Sequence, residues 1–478
     1  MRGGVVAARQ AHNLKVSSSN LLPAIFNNMA KKYKILIASI LAGSGHNSAG
    51  DLLEEVLGKN ENWEIVRFVH PSKTIDKTYN DMTERSPLVH NFFVSHSPII
   101  TGDALSLSMI HLADECVDII NKEKPDCIIS THTFLAMWFK IAQWVTKRPF
   151  IMMNACLDYG DQPSAMFPYN IFIRSDYSIA FSQKARDSII KKTKQNPDYV
   201  WMAGHRPKKD FLNYKIISKE KAKVQLKEYF TDPNYNQISK DKISILIAGG
   251  GGGTIQKTKD FLKKISRFQK KKISLLDKYQ FFVICGQNEQ YQKNILKMRR
   301  TKLSWQNIIP FGWLTSNEYA LVQRASDFPI LYGIAPATMH ELMYSETLPL
   351  IIHKLRAAHE AGNAEFVEKM KFGYFIKKDS ELIEAIFSNK FIRDKEKYKK
   401  RANALLAEEE ERLNKLEVKL YDCLRRDKPS IYKIYKVDFL NKIVSTGFTG
   451  IVLFAYYLRK LIYKILGPFN FWEKRERI

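Results

Sequence analysis

Lys34-Ile-Leu-Ile-Ala-Ser-Ile-Leu-Ala-Gly-Ser-Gly-His46 is the stretch whose reading decides the fold. Lys34-Ile-Leu-Ile-Ala-Ser39 is a short apolar run that ends in small residues. An unbroken apolar run, rather than an alternating one, predicts a strand buried on both faces, as in a parallel sheet. Leu41-Ala-Gly-Ser-Gly-His-Asn-Ser48 then supplies a glycine-rich turn, and a helical pattern continues through Leu57. Strand, glycine turn and helix are the repeating unit of a doubly wound α/β domain.

The unit recurs. Lys124-Pro-Asp-Cys-Ile-Ile-Ser-Thr-His132 reads as helix end, strand and polar loop. Pro149-Phe-Ile-Met-Met-Asn154 and Tyr177-Ser-Ile-Ala-Phe-Ser182 read as further strands. A second opening follows at Ile243-Ser-Ile-Leu-Ile-Ala248, with five glycines at 249–253 and then a helix. Strands are also expected at 279–285, 307–310 and 348–353. A polar, Lys-rich stretch with Pro233 separates Phe211 from Lys242 and marks the boundary between two α/β halves. The expected organisation is an extension over 1–32, a Rossmann-like domain over 33–215, a second over 240–385, a helical segment over 386–427 and a basic tail over 428–478.

The chain has 478 residues, enough for two or three domains, and carries 75 Lys+Arg against 49 Asp+Glu, a net charge of +26. That excess points to an anionic partner: nucleic acid, an acidic membrane or phosphate-rich substrates. No nucleic-acid recognition module accompanies the charge, so a specific nucleic-acid partner ranks last. Cys116, Cys127, Cys156, Cys285 and Cys423 show no CxxC or Cys/His metal spacing, which predicts reduced thiols of an intracellular protein and no required metal. No acidic residue precedes Asp51, and Arg2, Arg9 and Lys15 punctuate the first stretch. It reads as a disordered extension, with a weak transit peptide to a plastid or other organelle as the alternative.

Four clusters carry chemistry. A glycine turn that feeds a helix presents free backbone N–H groups and the positive end of the helix dipole. Gly43-Ser-Gly-His46 and the glycines from Gly249 both fit, and so does a tight packing turn without ligand. Neither is a Walker A loop, because no Gly-Lys-Ser/Thr follows. His46, at a helix start, is either a proton acceptor near neutral pH or a structural histidine. Gly333-Ile-Ala-Pro-Ala-Thr338 leads into another helix, where Thr338 and Glu341 have the spacing of a capping box. His359-Glu-Ala-Gly-Asn363 is a polar knot just past an apolar strand, where α/β folds place ligands.

In order, these clusters resemble the monogalactosyldiacylglycerol synthases and processive diacylglycerol glucosyltransferases, and more distantly the N-acetylglucosaminyltransferase that makes lipid II. The resemblance runs over roughly residues 33–376. Gly43-Ser-Gly-His-Asn-Ser-Ala49 is similar to the family's Gly-Gly-Gly-His loop, with Ser44 replacing one glycine. Pro125-Asp-Cys-Ile-Ile-Ser-Thr131, Leu157-Asp-Tyr-Gly160, Ile284-Cys-Gly-Gln-Asn288 and Phe311-Gly-Trp313 match further segments. Ile334-Ala-Pro-Ala-Thr-Met-His-Glu341, Leu348-Pro-Leu-Ile-Ile352 and Ala357-Ala-His-Glu-Ala-Gly-Asn363 match the donor site.

The resemblance implies a GT-B fold, two Rossmann-like doubly wound domains facing a cleft with a C-terminal helical tail. It implies transfer of a hexose from a UDP-sugar co-substrate to a lipid acceptor, with diacylglycerol as the expected one. His46, or Asp158 nearby, is then the base, and Gly43, Gly45 and Asn47 form the acceptor-side loop. Gly249, Gly250, Gly251, Phe311, Gly312, Pro336, Ala337, Thr338, Glu341, His359, Glu360 and Asn363 line the donor site, with Glu341 on the ribose. The chain departs from the pattern where Ala335 and Ala337 replace glycines and His359 replaces a glutamine. A left-handed backbone at either alanine would cost on the order of 1 kcal/mol. Two rival readings stay open: a UDP-sugar 2-epimerase of the same architecture, and a noncatalytic sugar- or lipid-binding relative.

The tail differs in composition. Residues 428–478 hold ten Lys/Arg against three Asp/Glu, around an uncharged run of sixteen residues at 443–458. Spanning a bilayer needs about 20 residues, in the range 17–25, so the run is short. Basic and aromatic residues mixed with aliphatics suit a membrane interface, and the competing reading is a helix packed on the protein. The expectation is a chain held at the cytoplasmic face of an anionic membrane.

Overall fold

The computed structural model describes residues 32–40, 44–70, 113–162, 167, 173–249, 255–269, 277–300, 307–355 and 360–426, with scattered helical positions between 447 and 461. The first half contains β1 (Tyr33–Ile40), α1 (Ser44–Leu57), β2 (Trp63–His70), α2 (Ala113–Glu123), β3 (Cys127–Ser130), α3 (Thr133–Thr146), β4 (Ile151–Cys156), β5 (Tyr177–Ala180), α4 (Gln183–Thr193) and β6 (Val200–Met202). Its strands form one parallel sheet in the order β2-β1-β3-β4-β5-β6. Strands β3, β4 and β5 are buried at every position, Ser130, Asn154 and Ser178 included, as strands covered on both faces are.

Two helices, α5 (Lys209–Asn213) and α6 (Lys219–Tyr229), connect the halves. The connection is packed: Phe211, Ala222 and Leu226 are buried, and Lys219 Nζ caps the end of the Ser316–Arg324 helix by donating to Ser326 O. Burial holds the Lys219 ammonium well below its usual range.

The second half contains β7 (Ile243–Ala248), α7 (Ile255–Gln269), β8 (Tyr279–Ile284), α8 (Glu289–Met298), β9 (Ile308–Phe311), α9 (Ser316–Arg324), β10 (Phe328–Leu331), α10 (Pro336–Tyr344), β11 (Leu350–Ile352), α11 (Ala361–Lys369), β12 (Gly373–Phe375), α12 (Asp379–Phe387), α13 (Lys390–Arg393) and α14 (Lys395–Arg425). The parallel order is β12-β11-β10-β7-β8-β9. In each sheet the strand order reverses once, between β1 and β3 in the first and between β7 and β10 in the second. Those reversals are where open α/β sheets bind ligands, outside the carboxyl ends of the strands.

Helix α14 runs 31 residues and returns to the first half. Its buried positions, among them Ala402, Leu405, Leu406, Leu413, Leu416 and Leu420, recur at three- and four-residue steps. Leu413 packs on Leu52 and Val56 of α1, and Tyr421 sets its ring against Tyr33 and Trp63. Gly204 permits this crossing, because a Cβ there would lie 1.7 Å from the carbonyl of Glu409. The architecture is GT-B: two Rossmann-like domains face each other across a cleft, with a helical C-terminal tail.

Candidate functional site

The first part of the site grows from the end of β1. The strand stops at Ile40 and α1 begins at Ser44, so His46 occupies the first turn of α1, at the sheet's reversal point. Its Nδ1 lies 2.6 Å from the carbonyl oxygen of Thr131, just past β3. A carbonyl oxygen only accepts, so Nδ1 carries the proton, and in the neutral ring the lone pair falls on Nε2. That tautomer is the one a general base needs.

The His132 ring meets His46 edge-on at 4.7 Å between centroids. Burial holds the His132 imidazole well below its ordinary range, and the neighbouring His46 and His70 push it the same way. His132 therefore stays neutral and adds no charge beside His46. Asn47 buries its Oδ1 with no protein hydrogen bond, and Gly45 leaves open space where a side chain would stand. Gly43 lies outside the described residues.

The second part lies at the other reversal point. Gly249 follows β7 and is buried, while Gly250 and Gly251 fall outside the described residues. After β10 the left-handed backbone falls on Gly333, at φ 97°. Ala335 is extended, with φ −95° and ψ 149°, and Ala337 is helical, so neither alanine occupies a glycine conformation. The strain that a left-handed alanine would carry is absent at both. The expected capping box is absent as well: the N-cap is Ala335, no side chain caps the helix, and Thr338 sits within its first turn. Pro336 has no N–H to offer, which leaves the amides of Ala337 and Thr338 directed out of the helix end. An uncapped N-terminus of this kind favours an anion through its amides and its dipole.

Glu341 follows one turn on, half-buried, with Oε2 accepting from Gln323 Nε2 at 3.4 Å. Burial pushes its carboxyl up to about 7, against the lowering pull of Gln323, Lys208 and His340. Phe311 is fully buried against Phe230, Tyr235 and Phe282, so its ring serves the core. Gly312 follows β9, and Trp313 beside it is 62% exposed.

The two parts are tied by Asn363, which is fully buried. Its Nδ2 donates to Asp158 Oδ1 at 2.9 Å and to Ile334 O at 3.0 Å, and its Oδ1 accepts from the Tyr159 N–H at 2.8 Å. One side chain thus joins Asp158, after β4, to the loop that precedes α10. Gly160 and Gly362 bring the two backbones together, since a Cβ on Gly160 would lie 2.3 Å from the Gly362 Cα. Asn363 spends its hydrogen bonds on the protein and holds Asp158 in place. Glu360 stands half-buried at the start of α11, and His359 lies outside the described residues.

Beneath this seam lies a buried polar cluster. Glu409 of α14 accepts from the Tyr159 hydroxyl at 2.6 Å and from the His205 N–H at 3.1 Å, and its Oε2 lies 2.5 Å from His340 Nε2. His340 Nδ1 lies 2.8 Å from Pro336 O, and its ring stacks on His205 at 4.6 Å. Burial opposes a charge on His340, but Glu409 outweighs it and raises the imidazole above its usual range. Both His340 and Glu409 are fully buried, so breaking the pair from one side would strand a charge. Among the described residues, no group of three or more His, Cys, Asp or Glu is placed to hold a metal ion.

No family model and no curated relative matches the chain. Solved structures match its fold. A putative UDP-N-acetylglucosamine 2-epimerase from Listeria monocytogenes is similar at TM-score 0.52 and 11% identity, covering 83% of this chain and 99% of the other. The UDP-GlcNAc 2-epimerase from Neisseria meningitidis, solved with UDP-GlcNAc, gives 0.52 and 14%, covering 81% and 100%. A glycosyltransferase from Rickettsia africae gives 0.52 and 14%, covering 82% and 98%. At these identities the likeness is one of fold.

Proposed function

We propose that the chain is a glycosyltransferase that moves a hexose from a UDP-sugar to the hydroxyl of a lipid, diacylglycerol in the first instance, at an anionic membrane surface. The observation that carries this reading is the pairing of two ends: a His46 imidazole whose Nδ1 is turned to the Thr131 carbonyl, and the N-terminus of α10, which no side chain caps, on helices that pack against each other. The acceptor oxygen attacks the anomeric carbon and gives its proton to His46 Nε2. The bond from that carbon to the diphosphate oxygen breaks, and the charge that develops there is met by the amides of Ala337 and Thr338, an electrostatic role that usually dominates such catalysis. The Glu341 carboxylate accepts from the ribose hydroxyls, Trp313 offers a face to the base, and Asn363 positions Asp158 beside the acceptor path.

The test is incubation with a panel of radiolabelled UDP-sugars and membrane lipids, followed by thin-layer separation. Label that moves into a lipid spot supports the reading, and its absence with every pair sinks it. The second reading is a UDP-sugar 2-epimerase, favoured by the names of the Listeria and Neisseria structures. It requires no lipid, so conversion of UDP-GlcNAc to its 2-epimer without acceptor, followed by NMR, would replace the first reading with the second.

A further inference from the structure

Away from the cleft, the tail carries a surface that the chemistry does not use. Ile451, Phe454, Leu458 and Leu461 are helical positions 59, 68, 42 and 53% exposed. Their steps of three, four and three residues place them on one helix face. Gly447 and Gly450 extend that face, since a side chain at either would meet open space. Tyr456 lies on the opposite side of the helix, fully buried as a member of the hydrophobic cluster that includes Trp138, Phe139 and Ile173. Its hydroxyl donates to Asp114 Oδ1 at 2.7 Å, on α2. The tail helix is therefore held on the first half by one face and presents a row of large apolar side chains on the other. A continuous exposed apolar row of this kind marks a contact surface.

We propose that this row is where the chain meets an anionic bilayer surface, lying in the interface rather than crossing it. Two observations choose a bilayer as the occupant. The surrounding residues 428–478 carry ten Lys/Arg against three Asp/Glu, a charge that complements anionic headgroups. The sixteen uncharged residues at 443–458 fall short of a span, and among the described residues no helix is long and apolar enough to cross a membrane. A helix with an apolar face and basic surroundings lies in the plane of the interface. Because Tyr456 fastens the row to the half that carries His46, the bilayer would lie on the acceptor side of the molecule. That orientation rests on the lipid-acceptor reading above, and the contact itself does not.

The full chain is mixed with vesicles of phosphatidylcholine with or without phosphatidylserine and sedimented at low and high salt, with UDP affinity measured in parallel by calorimetry. The wild type is expected to sediment with the anionic vesicles and to stay partly bound at high salt, since apolar contacts resist screening. Phe454→Asp with Leu458→Asp should lower the vesicle-bound fraction at least roughly tenfold, the scale of withdrawing large apolar side chains from a nonpolar phase. Phe454→Ser with Leu458→Ser, read the same way, covers a charged variant that unfolds. Vesicle binding unchanged in both variants overturns the proposal. So does a wild type that ignores vesicles but forms dimers that these substitutions separate, for the row would then be buried between two copies. Failure to bind UDP counts against the transferase reading alone and leaves the vesicle result standing.

Discussion

At the end of β1 the chain turns into a helix whose first turn holds an imidazole. At the end of β10 it turns into a helix whose first turn holds only Pro336, Ala337 and Thr338. Both turns stand at a reversal of strand order, where the backbone opens a crevice. The first places a side chain that can take a proton, fixed by Thr131. The second places none, and among the described residues no side chain caps its amides. One backbone plan thus yields a site for a proton and a site for an anion, and what separates them is whether a proton-accepting imidazole occupies the first turn.

That contrast can be broken. His46→Ala should lower transfer roughly 10²–10⁴-fold, the usual contribution of a general base, with the UDP dissociation constant unchanged by calorimetry. Parallel loss of UDP affinity would show that the two turns do not act separately. On the other side, Glu341→Ala should weaken UDP binding about 10–100-fold, as expected for a hydrogen bond to a charged group worth about 1.5–3 kcal/mol. Its turnover at saturating donor should stay near wild type, and a collapse there would move Glu341 into the proton chemistry.

The seam sets the next scale. Asn363→Ala leaves the Tyr159 N–H and Ile334 O buried without that partner, and should cost about 1–3 kcal/mol in denaturant unfolding. A double-mutant cycle with Asp158→Asn reads their coupling, and strict additivity would remove Asn363 as the group that positions Asp158.

The smallest effect is a pH dependence. The folded Glu341 holds its proton up to about 7, while the unfolded chain releases it near 4.5. The folded state binds more protons between those values, so this group's contribution to stability falls as pH rises from about 4.5 to 7. UDP binding runs the other way, because the ribose hydroxyls require the ionised carboxylate. Affinity should rise several-fold, at most about tenfold, from about pH 6 to pH 8. Glu341→Gln should flatten the part of that profile that UDP's own ionisation does not explain.

The sequence shows the inner strands of both sheets because burial on both faces leaves mostly apolar runs with only a small polar residue between, as in β3, β4, β5 and β7. It hides the edges. β2 mixes Glu64 and Arg67 with its apolar residues, and β6 and β12 are three residues long. β10 is interior yet carries Pro329, a residue that argues against a central strand. The register resolves the conflict: β7 pairs from Phe328 onward, but β11 pairs only from Ile330, so Pro329 has a neighbour on one side alone.

Of the candidate site, both helix starts and His46 were legible from spacing, because glycine turns announce themselves. The seam was not, since Asp158 and Asn363 are 205 residues apart. Glu409 hid within Glu408-Glu-Glu-Glu411, which reads as a solvated charge run. Its signal was positional: it falls on the buried stripe of Leu405, Leu406, Leu413 and Leu416. His132 and Trp313 stood inside quoted segments, and only their placement separates them from Thr131 and Phe311.

The return of α14 also orders events during synthesis. The first sheet is complete at Met202, but the helix that covers Leu52, Val56 and Trp63 begins at Lys395, about 200 residues later. At roughly 5–20 residues per second, the ribosome needs about 10–40 s to supply it. For that interval the nascent first half stands with a bare apolar flank and no partner for its His205 amide. A helix that emerges only after the whole second sheet is thus one that finishes the first domain, and the two halves reach their native state as one event rather than in turn.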